Sequence, residues 1–300
     1  MNEKIKETMI RVKDESKKCQ SIEDYLELSY SFRYEDLSFF PLQIKDEVYC
    51  LLKVLSENQP QTLLEIGTAN GGTLFLLSKI ATDNANIISI DLPDGQFGGE
   101  YFPIWKQPLY ESFASENQKI HLIRANSHDK DTFAKVKTLV GEKKIDFLFI
   151  DGDHTYEGVK KDFEMYKSLL ADEGIIVFHD ICKGNTKDVN VNKFWNEIKS
   201  KYLSAEIIDS DGTYHYGIGL IVNSIQKGES KKYVELLKTI LEVKNAQSIR
   251  DNREFFETFD PFKGKKVPLA QKELNQIKNT IYFRVGSKLF RFKRKFYPRK

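Results

Sequence analysis

Between residues 41 and 225 the chain alternates two kinds of hydrophobic pattern. Short apolar runs rich in Ile, Leu, Val and Phe occupy 62–67, 86–91, 119–124, 145–151, 174–180, 205–209 and 217–222. Several are separated by helix-length amphipathic stretches such as 72–81 and 156–170. Strands buried on both faces and joined by helices predict an α/β fold, a doubly wound and mostly parallel sheet with βαβ crossovers. The last two runs are only a few residues apart, too close for a parallel crossover, so one antiparallel strand is expected at that edge. Upstream, Pro41 is expected to open a helix with Ile44, Val48, Leu51, Leu52 and Leu55 on one face. Ser21 with Asp24 three residues on has the form of a helix N-cap. Beyond 225 the pattern predicts two helices, over 231–256 and from 269 to about 295. The second carries an apolar stripe of Leu274, Ile277, Ile281, Val285, Leu289, Phe292 and Phe296. Three zones result: a helical extension over 1–40, a central domain over 41–225, and a helical extension with a basic end over 226–300.

Composition adds boundaries to this picture. With 300 residues, 40% hydrophobic and 30% charged, the chain is long enough for a self-sufficient core. No apolar run approaches the ~20 residues of a membrane helix. The acidic start, with Glu3, Glu7, Asp14 and Glu15, predicts neither a secretory signal nor a transit peptide. Three scattered cysteines, Cys19, Cys50 and Cys182, fit a reducing compartment such as the cytoplasm rather than a disulfide framework. The net charge of +2 hides an asymmetry, because residues 281–300 hold eight Lys and Arg and no acid, which leaves −6 on the first 280 residues. A mildly acidic body does not favour nucleic acid as a partner. The basic end has two readings: an amphipathic helix on an anionic membrane surface, or a helix packed on the body or on a second copy of the chain.

In an open parallel sheet ligands bind beyond the carboxyl ends of the strands. After the first run comes Glu65-Ile66-Gly67-Thr68-Ala69-Asn70-Gly71-Gly72. This is a tight glycine loop preceded by an acid, not the GxGxxG spacing of a dinucleotide site. Glu65 would repel a pyrophosphate and attract an ammonium group. Asp91 closes the second run, where a carboxylate accepts ribose hydroxyls. After the third run, Asn126-Ser127-His128-Asp129 either lines an adenine pocket or starts a capped helix. After the fourth, Asp151-Gly152-Asp153-His154 packs two carboxylates and an imidazole into four residues, and the fifth ends in His179-Asp180. If those two strands are neighbours, Asp151 and Asp180 converge, a donor set suited to Mg²⁺ or Mn²⁺. Asp153 has the alternative role of capping the next helix. The long stretch 92–116, with Phe97, Tyr101, Phe102, Trp105, Tyr110 and Phe113, reads as an aromatic lid over an acceptor site.

On the glycine loop, Asp91 and the alternating pattern, the chain resembles class I S-adenosylmethionine-dependent methyltransferases. The blocks Ile150-Asp151-Gly152-Asp153-His154-Thr155-Tyr156-Glu157-Gly158 and Gly174-Ile175-Ile176-Val177-Phe178-His179-Asp180 resemble, more narrowly, the family of macrocin-type sugar O-methyltransferases and cephalosporin-hydroxylase-like proteins, over about 42–222. The resemblance implies a Rossmann-like seven-stranded sheet. It also implies S-adenosylmethionine held by Glu65, Gly67, Thr68, Asn70, Gly71, Asp91 and Ser127. Mg²⁺ or another divalent cation is implied at Asp151 and Asp180, with His179 standing where relatives often carry a further acid. His154 is implied as the general base acting with Asp151. A histidine at that place, where catechol-type enzymes carry lysine, favours a sugar, glycan or other aliphatic hydroxyl as acceptor. Two other functions remain on this reading. One is a non-haem metal oxidoreductase using His154, His179 and one of the two acids; the other is a cofactor-binding protein without turnover. The central domain carries no Asn/Asp-Pro-Pro-Tyr stretch of the kind nucleic-acid base methyltransferases use.

Overall fold

A computed structural model describes residues 3–93, 104–183, 188–208, 216–224, 230–254, 282–285 and 288–291. Its centre is a seven-stranded sheet in the order β3-β2-β1-β4-β5-β7-β6. The strands are β1 (Thr62–Ile66), β2 (Asn86–Asp91), β3 (Lys119–Arg124), β4 (Ile145–Ile150), β5 (Leu170–His179), β6 (Leu203–Ile207) and β7 (Ile218–Asn223). β1 to β5 pair in parallel. β7 pairs antiparallel with β5 and β6, so the one antiparallel strand lies at the expected side of the sheet, with β6 outside it.

The apolar runs are buried on both faces because alternate residues enter different cores. Phe147, Phe149, Ile175 and Val177 join the cluster on one face; Leu148, Ile150, Ile176 and Phe178 join the other. Against the first face pack α3 (Lys45–Asn58), α4 (Gly72–Ile80) and α9 (Lys231–Glu254), through residues such as Leu51, Leu55, Phe75, Leu236 and Ile240. Against the second pack α6 (Lys130–Val140), α7 (Tyr156–Tyr166) and α8 (Val191–Ile198), through Val136, Phe163 and Trp195 among others. Helices α1 (Glu3–Ser16) and α2 (Ile22–Ser31) share the first core through Ile5, Val12 and Leu26. Ser21 caps α2 in a full capping box with Asp24. Cys19, Cys50 and Cys182 are all free thiols. Among the described residues no helix is long and apolar enough to cross a membrane.

Three expectations change. The helix expected from Pro41 begins at Lys45. The backbone before it is held by tertiary contacts instead: Tyr30 OH donates to the Gln43 carbonyl at 2.9 Å. Within the expected aromatic lid, Tyr110 and Phe113 are core residues. Phe113 packs against Phe39 and Phe75 at centroid distances of 5.0 and 5.2 Å, and α5 (Gln107–Glu111) carries Tyr110 inward. Trp105 stays exposed, while Phe97, Tyr101 and Phe102 lie outside the described residues. Finally, the second C-terminal helix is not formed over 282–291, where β8 (Tyr282–Val285) pairs antiparallel with β9 (Lys288–Arg291). The residues of these two strands, Tyr282, Phe283, Val285, Leu289 and Phe290 among them, are also of β-favouring types. The rest of that predicted helix lies outside the described residues.

Candidate active site

The strand order reverses between β1 and β4, with β2 and β3 laid on one side of β1 and β4 and β5 on the other. Crevices of open α/β sheets form at such a point. Pairing runs one residue past both strands, through Gly67 N to Ile90 O and Asp151 N to Ile66 O, each 2.8 Å. Gly67 has φ +102°, and a Cβ there would lie 2.1 Å from the Asp151 carbonyl oxygen. Only glycine lets the two strand ends approach so closely.

On the glycine-loop side, Glu65 is fully buried. Its Oε2 accepts from Ser89 Oγ at 2.5 Å, and Ser89 Oγ in turn lies 2.5 Å from Thr68 Oγ1. Its Oε1 has no hydrogen-bond partner among the described residues. Burial pushes the carboxyl up to about 8, the Asp91 and Asp151 charges add to the rise, and the Ser89 hydrogen bond opposes it. Asp91 is similar: burial raises it to about 7 against Arg124 and the backbone N–H groups of Leu92, Thr68 and Ala69, and its Oδ2 is buried without a hydrogen-bond partner among the described residues. Asn70 Oδ1 lies 3.4 Å from Lys106 Nζ, and Gly71 abuts the Tyr110 ring. At the end of β3, Ser127 uses its carbonyl to accept from Tyr166 OH at 2.7 Å. Beside it His128 Nε2 lies 3.2 Å from Oδ1 of the buried Asp162. Two buried carboxyls with orphaned oxygens on either side of a glycine loop are groups that a cationic and hydroxylated ligand would satisfy.

On the other side the acids of β4 and β5 do converge. Asp151, His154 and Asp180 each offer a donor atom, all within 4.8 Å of one another. His154 spans the pair, with Nδ1 2.8 Å from Asp180 Oδ2 and Nε2 3.6 Å from Asp151 Oδ1. Burial lowers this imidazole, but the Asp180 hydrogen bond and the two carboxylate charges outweigh it and hold it above its usual value. Asp180 goes the other way: burial would raise it, and the two imidazoles keep it low. Its backbone sits at φ +59°, a strained conformation for a residue with a side chain. The cluster thus balances two carboxylates against imidazolium charge, which a divalent cation would replace. Two carboxylates and one imidazole form a sound donor set for Mg²⁺ or Mn²⁺.

The third donor in this group is His154, where the sequence pattern points to His179. His179 turns Nδ1 to Asp151 Oδ1 at 3.1 Å and lies face to face with Tyr216 at 5.8 Å. Burial lowers its pKa, but Asp151 and then Asp180 raise it to about 9. Asp153 accepts from Thr155 N at 2.9 Å, while the cap of α7 is Thr155 itself, its Oγ1 accepting from Gly158 N at 3.0 Å. Three contributors escaped the sequence. Gln43 Nε2 donates to Asp151 Oδ2 at 2.5 Å. Glu47 on α3 accepts from Gly217 N at 3.3 Å and bears on His179. Tyr216 covers His179. All three are brought in by tertiary packing, and no local motif marks them.

Residues 64–181 match the family model Methyltransf_24, a methyltransferase domain. Protein R132 of Acanthamoeba polyphaga mimivirus is 30% identical over 172 residues, which cover 56% of this chain and 75% of that protein. The chain belongs to this methyltransferase-domain family. Catechol O-methyltransferase B of Danio rerio is 24% identical over 170 residues, 55% of this methyltransferase and 60% of that enzyme. The match to protein y4gI of Sinorhizobium fredii, 23% identical, spans 54% of this chain and only 17% of that longer protein. Among solved structures, the O-methyltransferase from Bacillus cereus in complex with SAH has a TM-score of 0.47 at 15% identity, covering 73% of this chain and 99% of that one.

Proposed function

We propose that this methyltransferase transfers a methyl group from S-adenosylmethionine to a hydroxyl of a sugar, glycan or glycosylated small molecule, assisted by a divalent cation. The observation that carries the proposal is the convergence of Asp151, His154 and Asp180 across the crevice from the glycine loop. A cation bound there would lower the pKa of an acceptor hydroxyl and orient it. Asp151 and Asp180 would hold that cation, with the His154 imidazole beside them rather than on it. Glu65 faces the ammonium of the methyl donor and Asp91 its ribose, with Thr68, Asn70 and Gly71 shaping the loop and Ser127 at the adenine end. Methyl transfer to oxygen requires the acceptor to give up its proton as the new C–O bond forms and the C–S bond of the sulfonium breaks. His154 is the group at the cluster able to take that proton, in exchange for its hydrogen bond to Asp180. With donor and acceptor held in one crevice, positioning supplies much of the remaining rate enhancement.

The oxidoreductase alternative needs two imidazoles and one carboxylate on one metal. The converging group has one imidazole and two carboxylates, so the donor set favours Mg²⁺-type chemistry. The test is incubation with isotope-labelled S-adenosylmethionine and a panel of sugar and catechol acceptors, with Mg²⁺ or with EDTA, read by mass spectrometry. Labelled methyl on a sugar hydroxyl, lost with EDTA, is expected. Transfer that is indifferent to EDTA removes the cation, and transfer confined to catechols removes the acceptor assignment.

A further inference from the structure

We propose that Gln43 is a positioning residue, its carboxamide setting the Asp151 carboxylate toward the cation site and tying that setting to the first turn of the glycine-loop helix. This rests on the cation-assisted reading above. Gln43 lies outside the matched residues 64–181, on the link 40–44 between α2 and α3. The link is clamped at both ends. Tyr30 OH donates to the Gln43 carbonyl at 2.9 Å. Phe40 and Pro41 press onto the start of α4 so tightly that a Cβ on Gly72 would lie 2.0 Å from Pro41 N and 2.1 Å from the Phe40 carbonyl carbon.

From this clamped backbone the side chain makes two directed contacts. Nε2 donates to Asp151 Oδ2 at 2.5 Å, and Oε1 accepts from Thr73 Oγ1 at 3.1 Å. A carboxylate only accepts, so the amide nitrogen must face Asp151, and the Thr73 hydroxyl fits the oxygen that remains. With Oδ2 held, Oδ1 is the oxygen left to His179 at 3.1 Å and His154 at 3.6 Å, the side on which the donor group converges. Strand parity explains why the contact comes from this direction. Asp151 continues the row of Phe147 and Phe149, which faces α3. Asp151 therefore finds a supporting group in the segment that leads into α3. Partners of this kind behind a metal ligand set its orientation, and their loss weakens metal binding ~10–100-fold.

The experiment is Mn²⁺ binding to the full chain, followed by the electron paramagnetic resonance of free Mn²⁺, for wild type, Gln43→Met and Thr73→Val. Methionine keeps the length of the side chain and removes the donor; valine keeps the shape of threonine and frees the amide to rotate. Gln43→Met is expected to weaken Mn²⁺ binding ~10-fold and Thr73→Val by a smaller factor, with the thermal midpoint unchanged. A purely structural role would shift the midpoint instead. Should Gln43→Met fail to fold, Thr73→Val still decides. Mn²⁺ affinity within twofold of wild type in the folded variants overturns this proposal alone. Absence of Mn²⁺ binding by the wild type overturns the cation-assisted reading and this proposal with it.

Discussion

Replacing Glu65 with glutamine should stabilise the free protein at alkaline pH and cripple its use of the methyl donor. The carboxyl is fully buried, and burial, with the Asp91 and Asp151 charges, lifts it from 4.5 to about 8. Between those values the folded chain keeps the proton while the unfolded chain has released it. Stability from this group is therefore fully present below about 4.5 and falls as pH rises through about 8. Each pH unit in that window costs about 1.4 kcal/mol, a total of order 3–5 kcal/mol once both states are ionised. The amide does not titrate, and Ser89 Oγ still has an oxygen to donate to. Glu65→Gln should thus gain about 3–4 kcal/mol over wild type at pH 8, with the gain falling below about 1 kcal/mol near pH 5. Asp91 titrates in both proteins, so its slope cancels in the comparison. Binding should move the other way. An ammonium against Glu65 is a charge-assisted contact worth about 1.5–3 kcal/mol, so the variant should bind S-adenosylmethionine about 10–100-fold more weakly. Urea unfolding from pH 5 to 9 and titration calorimetry read the two effects. In buffers of different ionisation enthalpy, wild type should also release a proton on binding at pH 7 that the variant does not. Parallel pH–stability curves would refute the raised pKa of the buried carboxyl, and equal affinity for the donor would refute its assignment to the ammonium.

Gly67→Ala should cost about 3 kcal/mol or more in denaturant unfolding, since the new methyl meets the Asp151 carbonyl at a positive φ. If transfer is cation-assisted as proposed, Asp180→Asn should abolish it while leaving donor affinity within a few-fold, read by methyl transfer and calorimetry side by side. Asp162→Asn tests the buried His128 partner. The Asp162 carboxylate raises that imidazole, with burial opposing, so the pair's contribution is present below the unfolded value and is lost as pH rises through the folded one. The variant should be less stable by about 1–3 kcal/mol at pH 6, with the gap narrowing by pH 8, in thermal unfolding across that range.

The sheet was legible in the sequence because a strand buried on both faces must be apolar along its whole length. Each of the seven runs holds a strand, two of them with the same bounds and the rest differing by at most four residues at an end. The glycine loop and the pair Asp151 and Asp180 were legible for a related reason: the residue just past a parallel strand is placed by the topology before any side chain packs. The limit came one residue later. His179 is the last residue of β5 and Asp180 follows it at φ +59°, a turn that the strand period does not foresee, so the period alone does not tell how either side chain meets His154. Tyr110 and Phe113 misled because a loop rich in aromatics reads as a lid, whereas a short helix inside that stretch turns both rings into the core. Gln43 had no signal at all: its role depends on where Phe40 and Pro41 meet Gly72, a contact between segments some thirty residues apart.

The crevice gathers Glu65, Asp91, Asp151 and Asp180 at the ends of four strands, and in the free protein it neutralises them by two means. The pair toward the glycine loop is pushed up toward protonation by burial, and the pair toward β5 is met by the His154 and His179 imidazoles. Each half thus holds protons that a positively charged ligand would displace: an ammonium at Glu65, a cation at Asp151 and Asp180. A fold under selection for stability alone would replace such buried acids with apolar side chains of similar size. On the proposed function, their presence at the switch point of the sheet, beside the Gly67 approach that brings both halves together, is the cost of a surface complementary to two positive ligands at once. It follows that donor and cation binding should both weaken as pH falls, the donor through Glu65 and Asp91 and the cation through His154.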